Sequence, residues 1–75
     1  MDSTLDHALT AAERDVRGAE TSLESTRKAI ERGDFNAALV ELRMGFYGRL
    51  REAGYEARGV VDRLVELGGV YPPPQ

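Results

Sequence analysis

The chain contains no cysteine and only one histidine among its 75 residues. Without cysteine it can form neither a disulfide framework nor a thiolate metal site, and one histidine cannot assemble the usual zinc sites. We therefore expect no metal and no cofactor. A chain of this size buries only about 60% of the surface that its unfolded form exposes, so a monomer would be marginally stable. Oligomerisation is the remaining way to add a core, and we expect a homo-oligomer.

Long apolar runs and an excess of basic charge are also missing. No stretch approaches the ~20 consecutive apolar residues that a membrane span requires. The segment MDSTLDHALT has acidic residues where a signal peptide has basic residues and an apolar core, which predicts a cytoplasmic protein without a membrane partner. Ten Lys and Arg residues stand against 13 Asp and Glu residues, and the net charge of -3 argues against a protein built mainly to coat nucleic acid.

Apolar and small residues recur at alternating spacings of four and three from Leu5 to Ile30. This heptad spacing is typical of a helix that packs along one face. The large positions of the pattern are Leu9, Val16, Leu23 and Ile30. The alternate positions are the small residues Ala12, Ala19 and Thr26. Small residues let a partner helix approach closely, and the pattern predicts a first helix over about residues 4–32.

Gly33 and Asp34 predict a tight turn into a second helix, because glycine ends helices in the left-handed conformation and aspartate caps helix N-termini. On a wheel at 100° per residue, one arc collects Phe35, Ala38, Leu39, Leu42, Phe46, Leu50 and Ala53. We interpret this arc as the core face of a second helix over about residues 35–53, which Gly54 would end.

A third helix is predicted over about residues 56–67, closed by Gly68 and Gly69 and followed by a proline-rich tail at 70–75. The expected fold class is all-α, and residues 1–75 form a single helical domain. Its architecture is an antiparallel helical hairpin with a short third helix, and oligomerisation completes its core. The first helix is too long for a compact three-helix ball. Either the second and third helices lie in line against it, or the third folds back and the N-terminal part of the first packs on another subunit. We favour the second arrangement.

A second apolar row lies opposite the core arc of the second helix. It consists of Val40, Met44 and Tyr47, with Arg43 and Arg51 beside it. A soluble helix normally has one apolar stripe, so a helix with two is central in a bundle or contacts another chain. Either the third helix covers the row, or these five residues form a partner-binding or self-association surface.

Gly45 and Gly48 lie inside this predicted helix, where each costs about 1 kcal/mol relative to alanine. Close approach of another helix would explain them, and so would a local break between residues 45 and 48.

The function predicted from these patterns is protein contact rather than catalysis, and we expect no enzyme activity. The chain would be an assembly subunit, an adaptor or an inhibitor, a class that includes phage-encoded proteins. Its partner would be itself or a larger protein. The alternative is a small nucleic-acid-binding or regulatory protein that uses an arginine and aromatic face of a dimer. The candidate residues for that alternative are Arg43, Arg49, Arg51 and Arg58. Acidic residues share the same segment, and their charge weakens the case for nucleic-acid binding.

Overall fold

The computed structural model describes residues 2–74 and shows two antiparallel helical arms. The first arm is α1, Ser3–Glu31. The second arm consists of α2, Phe35–Val40, a π-helical segment, Glu41–Tyr47, and α3, Gly48–Glu66. The three pieces of the second arm follow one another without a break. The all-helical architecture and the hairpin are thus as predicted, and the molecule measures 52 × 27 × 15 Å.

The turn between the arms has the predicted chemistry. Gly33 has a φ of 76°, and the N–H of Asp34 donates to the carbonyl of Ala29 at 2.9 Å. The Asp34 carboxylate then accepts from the N–H of Ala37 at 3.0 Å and caps α2. A left-handed glycine followed at once by a capping aspartate reverses the chain within three residues, since α1 ends at Glu31 and α2 begins at Phe35.

The predicted end of the second helix at Gly54 is wrong. The helix passes through Gly54 to Glu66, so residues 2–74 contain no separate third helix, and the prediction that it folds back is wrong as well. A glycine in a helix costs only about 1 kcal/mol. Ala53 and Val60, on either side of Gly54, are both buried, so a continuous helix keeps its packing along α1.

The C-terminal stop is where the sequence predicts it. Gly68 has a φ of 105°, and the N–H of Gly69 donates to the carbonyl of Leu64 at 2.8 Å. These features close α3 with the hydrogen-bond pattern of a glycine C-cap. The proline-rich tail follows through Pro74, and Gln75 lies outside the described residues.

The core between the two arms is built from small side chains. The buried apolar residues are Ala19, Ala29, Ala38, Ala53 and Val60. Ser22 and Thr26 are buried with them, and the Thr26 hydroxyl donates to the Ser22 carbonyl at 2.7 Å, which satisfies it within α1. No buried side chain in residues 2–74 is larger than that of valine. The small half of the heptad pattern therefore faces the second arm.

The π-helical segment changes which residues of the second arm meet α1. A π turn contains about one residue more than an α turn, so residues beyond it are rotated from their places on a uniform α-helical wheel. Of the predicted core arc, only Ala38 and Ala53 are buried. Leu42 and Phe46, within the segment, are half-buried, and Leu50, beyond it, is exposed. Phe35 and Leu39 precede the segment and are exposed independently of it.

Candidate functional site

Large apolar side chains lie on one broad side of the hairpin, which we call the apolar face. From α1 it contains Leu9, Val16, Leu23 and Ile30, each 38–53% exposed. From the second arm it contains Phe35, Leu39, Leu50, Val61 and Leu64, each 41–65% exposed. The large half of the heptad pattern is thus on the surface rather than between the arms.

Helix geometry explains why both arms contribute to the same side. Leu23 follows buried Ser22 by one position on α1, and Leu39 follows buried Ala38 by one position on the second arm. A one-residue step rotates a side chain by about 100° in the same sense about each helix. Because the arms are antiparallel, this rotation turns both sets of side chains to one side. A 270 Å³ groove there is lined by Ile30, Phe35 and Leu39.

The apolar face continues to the C-terminal end of α3. A 450 Å³ groove, lined almost wholly by apolar atoms, lies between Val61 and Leu64 of α3 and Val70 and Tyr71 of the tail. The Tyr71 side chain is 93% exposed. The tail therefore adds two apolar side chains beside the face without closing over it.

Five residues are predicted to bind a partner, and we call them the contact row. They are Val40, Arg43, Met44, Tyr47 and Arg51. Val40 and Met44 line a 480 Å³ groove with Gly18 and Thr21 of α1. Those two α1 residues precede buried Ala19 and Ser22 by one position, whereas Leu23 and Ile30 of the apolar face follow a buried residue by one position. The groove is therefore on the opposite side of the hairpin.

The prediction that a third helix covers the contact row is wrong. Val40, Met44 and Tyr47 are 58%, 75% and 59% exposed. Arg43 and Arg51 are exposed as well. The other explanation of this row, a surface for another chain, stays a prediction.

The four arginines considered for nucleic-acid binding are not brought together as one set. Arg49 faces α1, where its Nη1 lies 3.2 Å from the Oδ1 of Asp15. Its side chain lies over Gly18, where a β-carbon would be 3.1 Å from the Arg49 Nε. Arg43, Arg51 and Arg58 are exposed. The structure thus pairs one of the four with an acidic residue of the neighbouring helix.

A carboxyl pair between the arms was not predicted from the sequence. The Glu56 and Asp15 carboxyl groups approach each other so that protonated Glu56 can donate a hydrogen bond to Asp15, and among the described residues the buried Glu56 Oε1 has no other partner. This hydrogen bond, followed by burial and the charge of Asp15, raises the pKa of Glu56 above its ordinary value of 4.5. The same hydrogen bond, helped by Arg49 and opposed by burial, lowers the pKa of Asp15. Neither acid belongs to an apolar pattern, so no periodicity marks them as neighbours.

A second ionic contact joins the ends of the two arms. The Arg63 Nη2 lies 2.8 Å from the Oδ2 of Asp2, and its Nη1 lies 2.9 Å from the Oε2 of Glu66. Asp2 also accepts from the N–H of Thr4 at 2.9 Å and caps α1. The Arg63 hydrogen bond is the main cause of a lowered Asp2 pKa. One carboxylate thus caps α1 and attaches it to α3.

Residues 2–74 hold no group of three or more His, Cys, Asp or Glu side chains placed to bind a metal ion. Within the same part of the chain, no helix has the length and apolar character needed to cross a membrane. Comparisons with known protein families, curated proteins and solved structures found no match to this chain.

Proposed function

We propose that this protein is a non-catalytic protein-interaction module that presents a helical surface, as an assembly subunit, adaptor or inhibitor does. The observation that carries the proposal is the apolar face: leucine, isoleucine, valine and phenylalanine side chains are exposed while the interior holds mainly alanine. Fully burying one such large side chain contributes about 1.5–3 kcal/mol. Contiguous exposed apolar patches larger than a few hundred Å² mark interaction surfaces in soluble proteins.

Val40 and Met44 of the contact row supply part of a second, smaller surface on the other side of the hairpin. Met44, Tyr47 and Arg51 are of the residue types enriched in protein interfaces. Their exposure leaves them accessible to a partner while the apolar face is occupied. A module with two opposed surfaces fits an adaptor, which joins two chains.

The nucleic-acid alternative has less support. Arg43, Arg51 and Arg58 are exposed on the second arm, but the charge of Arg49 is paired with Asp15. Because the chain has a net charge of -3, a bound phosphate backbone would face an overall repulsive field.

Site-specific photo-crosslinking in cells that produce the full chain tests the proposal. A photoreactive phenylalanine analogue at Leu39 probes the apolar face, the same analogue at Met44 probes the contact row, and exposed Thr10 is the control position. We expect defined protein adducts from Leu39, to this chain or to another protein, and none from Thr10. Adducts that are equally abundant from Leu39 and Thr10, or absent from both Leu39 and Met44, would contradict the proposal. Nucleic-acid adducts from an analogue at Arg58 would support the alternative.

A further inference from the structure

We infer that the apolar face is covered by a second copy of this chain, so that two hairpins form a four-helix bundle. This inference rests on the proposed function and names its partner. Val40 and Met44 of the contact row then stay outside the bundle, on both of its outer sides.

The small intrachain core is the first reason. Between the arms the buried apolar side chains are four alanines and Val60. Four-helix bundles are built around inward positions of heptad type, filled by larger side chains. Leu9, Val16, Leu23 and Ile30 have this seven-residue spacing along most of α1, and they are exposed. A second hairpin laid on the apolar face converts these residues into a core.

The size of the face is the second reason. The broad side of the hairpin measures 52 by 27 Å. A stable protein interface buries about 800 Å² on each partner, and the broad side is large enough to supply it. A two-fold dimer requires the same patch on both chains. The apolar face, to which α1 contributes four large side chains and the second arm five, meets that requirement.

The charges beside the apolar face indicate how the two copies are oriented. Next to Leu23, α1 has a groove lined by Glu20, Glu24 and Glu31 together with Arg27 and Lys28. The outer surface of the second arm has Arg43 and Arg58, both exposed. Glu24 is paired with Lys28 at 3.6 Å. Placing α1 over the second arm of the partner brings the other two glutamates, Glu20 and Glu31, towards Arg43 and Arg58, whereas placing α1 over α1 brings them towards their own counterparts. Such edge charges select the orientation of an interface more than its affinity.

This pairing determines where the turns lie. When α1 of each copy lies over the second arm of the other, the two-fold axis runs along the helices. Both Gly33 turns are then at the same end of the bundle. The opposite arrangement, with α1 over α1, would place the two turns at opposite ends.

Sedimentation equilibrium of the full chain, from low to high micromolar concentration, tests the dimer. We expect a species of twice the 8.3 kDa chain mass. Leu23→Glu should weaken association by about tenfold or more, because it places a charge in the new core. Met44→Glu is the matched control: Met44 is more exposed than Leu23, at 75% against 43%, but lies on the other side. It should leave the dimerisation constant unchanged.

One further measurement keeps the test decisive if Leu23→Glu fails to fold. The melting temperature of the unmodified chain should rise with its concentration, because association stabilises only the folded state. A helical monomer at every concentration, or dissociation caused by Met44→Glu but not by Leu23→Glu, would overturn the inference. If Leu39 nevertheless crosslinks to a different protein, the proposed function stands and only the identity of the partner is wrong.

The orientation has its own test. The chain has no cysteine, so Arg32→Cys provides a unique site for a spin label next to the turn. With both turns at one end, the two labels should be separated by about the bundle width, roughly 20–25 Å, estimated from interaxial helix distances of 8–10 Å and the label length. Turns at opposite ends would separate the labels by about the length of α1, ~44 Å for 29 residues. A distance near the larger value would overturn the orientation.

Discussion

Gly45 of the π-helical segment lies against Ser22 of α1, so closely that a β-carbon at position 45 would be 2.9 Å from the Ser22 Cβ. Real β-carbons do not approach other atoms so closely. Of the two explanations for glycine in this stretch, close approach of another helix is therefore right for Gly45. Within the hairpin nothing lies within 4 Å of the β-position of Gly48, so no close helix contact compensates for the helix stability that this glycine costs.

Gly45→Ala should destabilise the protein. Alanine favours helix by about 1 kcal/mol over glycine, but the new methyl group must push the arms apart, and overpacking typically costs about 1–3 kcal/mol. Gly54→Ala is the control, because nothing lies within 4 Å of its β-position, and it should stabilise by about 0.5–1 kcal/mol. Urea unfolding followed by circular dichroism measures both. Adding Ser22→Gly to Gly45→Ala should recover part of the loss, and a Gly45→Ala variant as stable as Gly54→Ala would refute the close contact.

Gly33→Ala should destabilise the turn through the backbone alone. The φ of Gly33 is 76°, and nothing lies within 4 Å of its β-position, so no clash contributes. The left-handed conformation costs a residue with a β-carbon about 1–2 kcal/mol. Asparagine tolerates this conformation better, so Gly33→Asn should unfold at a higher urea concentration than Gly33→Ala. Equal midpoints for Gly33→Ala and the unmodified chain would show that the turn adopts another conformation in solution.

Glu56→Gln should alter the pH dependence of stability. The folded-state pKa of Glu56 is raised above 4.5, so its contribution is complete below that pH and is lost as the pH rises through the raised value. Glutamine keeps a hydrogen-bond donor for Asp15 and cannot ionise. The variant should therefore lack this decline and be more stable than the unmodified chain at pH 7. Melting temperatures between pH 4 and 8 measure the difference, and parallel curves would exclude the Asp15–Glu56 hydrogen bond.

Two substitutions of Asp2 separate its two roles. Asp2→Asn keeps an oxygen that can cap α1 but loses the ion pair with Arg63, whereas Asp2→Ala loses both. The melting temperature should fall in the order unmodified chain, Asp2→Asn, Asp2→Ala. The pKa of Asp2 is lowered below 3.8, so its ionic contribution is present above that pH and lost as the pH falls through the lowered value. The gap between the unmodified chain and Asp2→Asn should therefore close in acid. A constant gap would assign the loss to capping.

Local signals predicted the first half of the fold well. The bounds of α1, the turn at Gly33 and the cap at Asp34 follow from a heptad pattern and two residues whose backbone preferences are strong. Gly54 was misinterpreted because a glycine that ends a helix and a glycine inside one have the same local sequence. Burial of Ala53 and Val60 against α1 decides between them, and that packing is not local.

The apolar face was only partly predictable. The sequence identifies its large residues but not where they point, because a heptad pattern contains a large half and a small half and either can face the second arm. The backbone approach at Gly45 and Ser22 selects the small half. The π-helical segment then offsets α3, which a wheel of constant pitch cannot represent.

The π-helical segment also affects how the second arm tolerates changes in length. Because its turns contain about one residue more than α-helical turns, removing one residue between Glu41 and Tyr47 can convert the segment to α-helix and leave α2 and α3 facing as they do now. Removing Gly54 instead would rotate every later side chain by about 100° and take Val60 out of its contact with α1. Between Glu41 and Tyr47, the second arm can therefore lose one residue without changing which side of α3 faces α1.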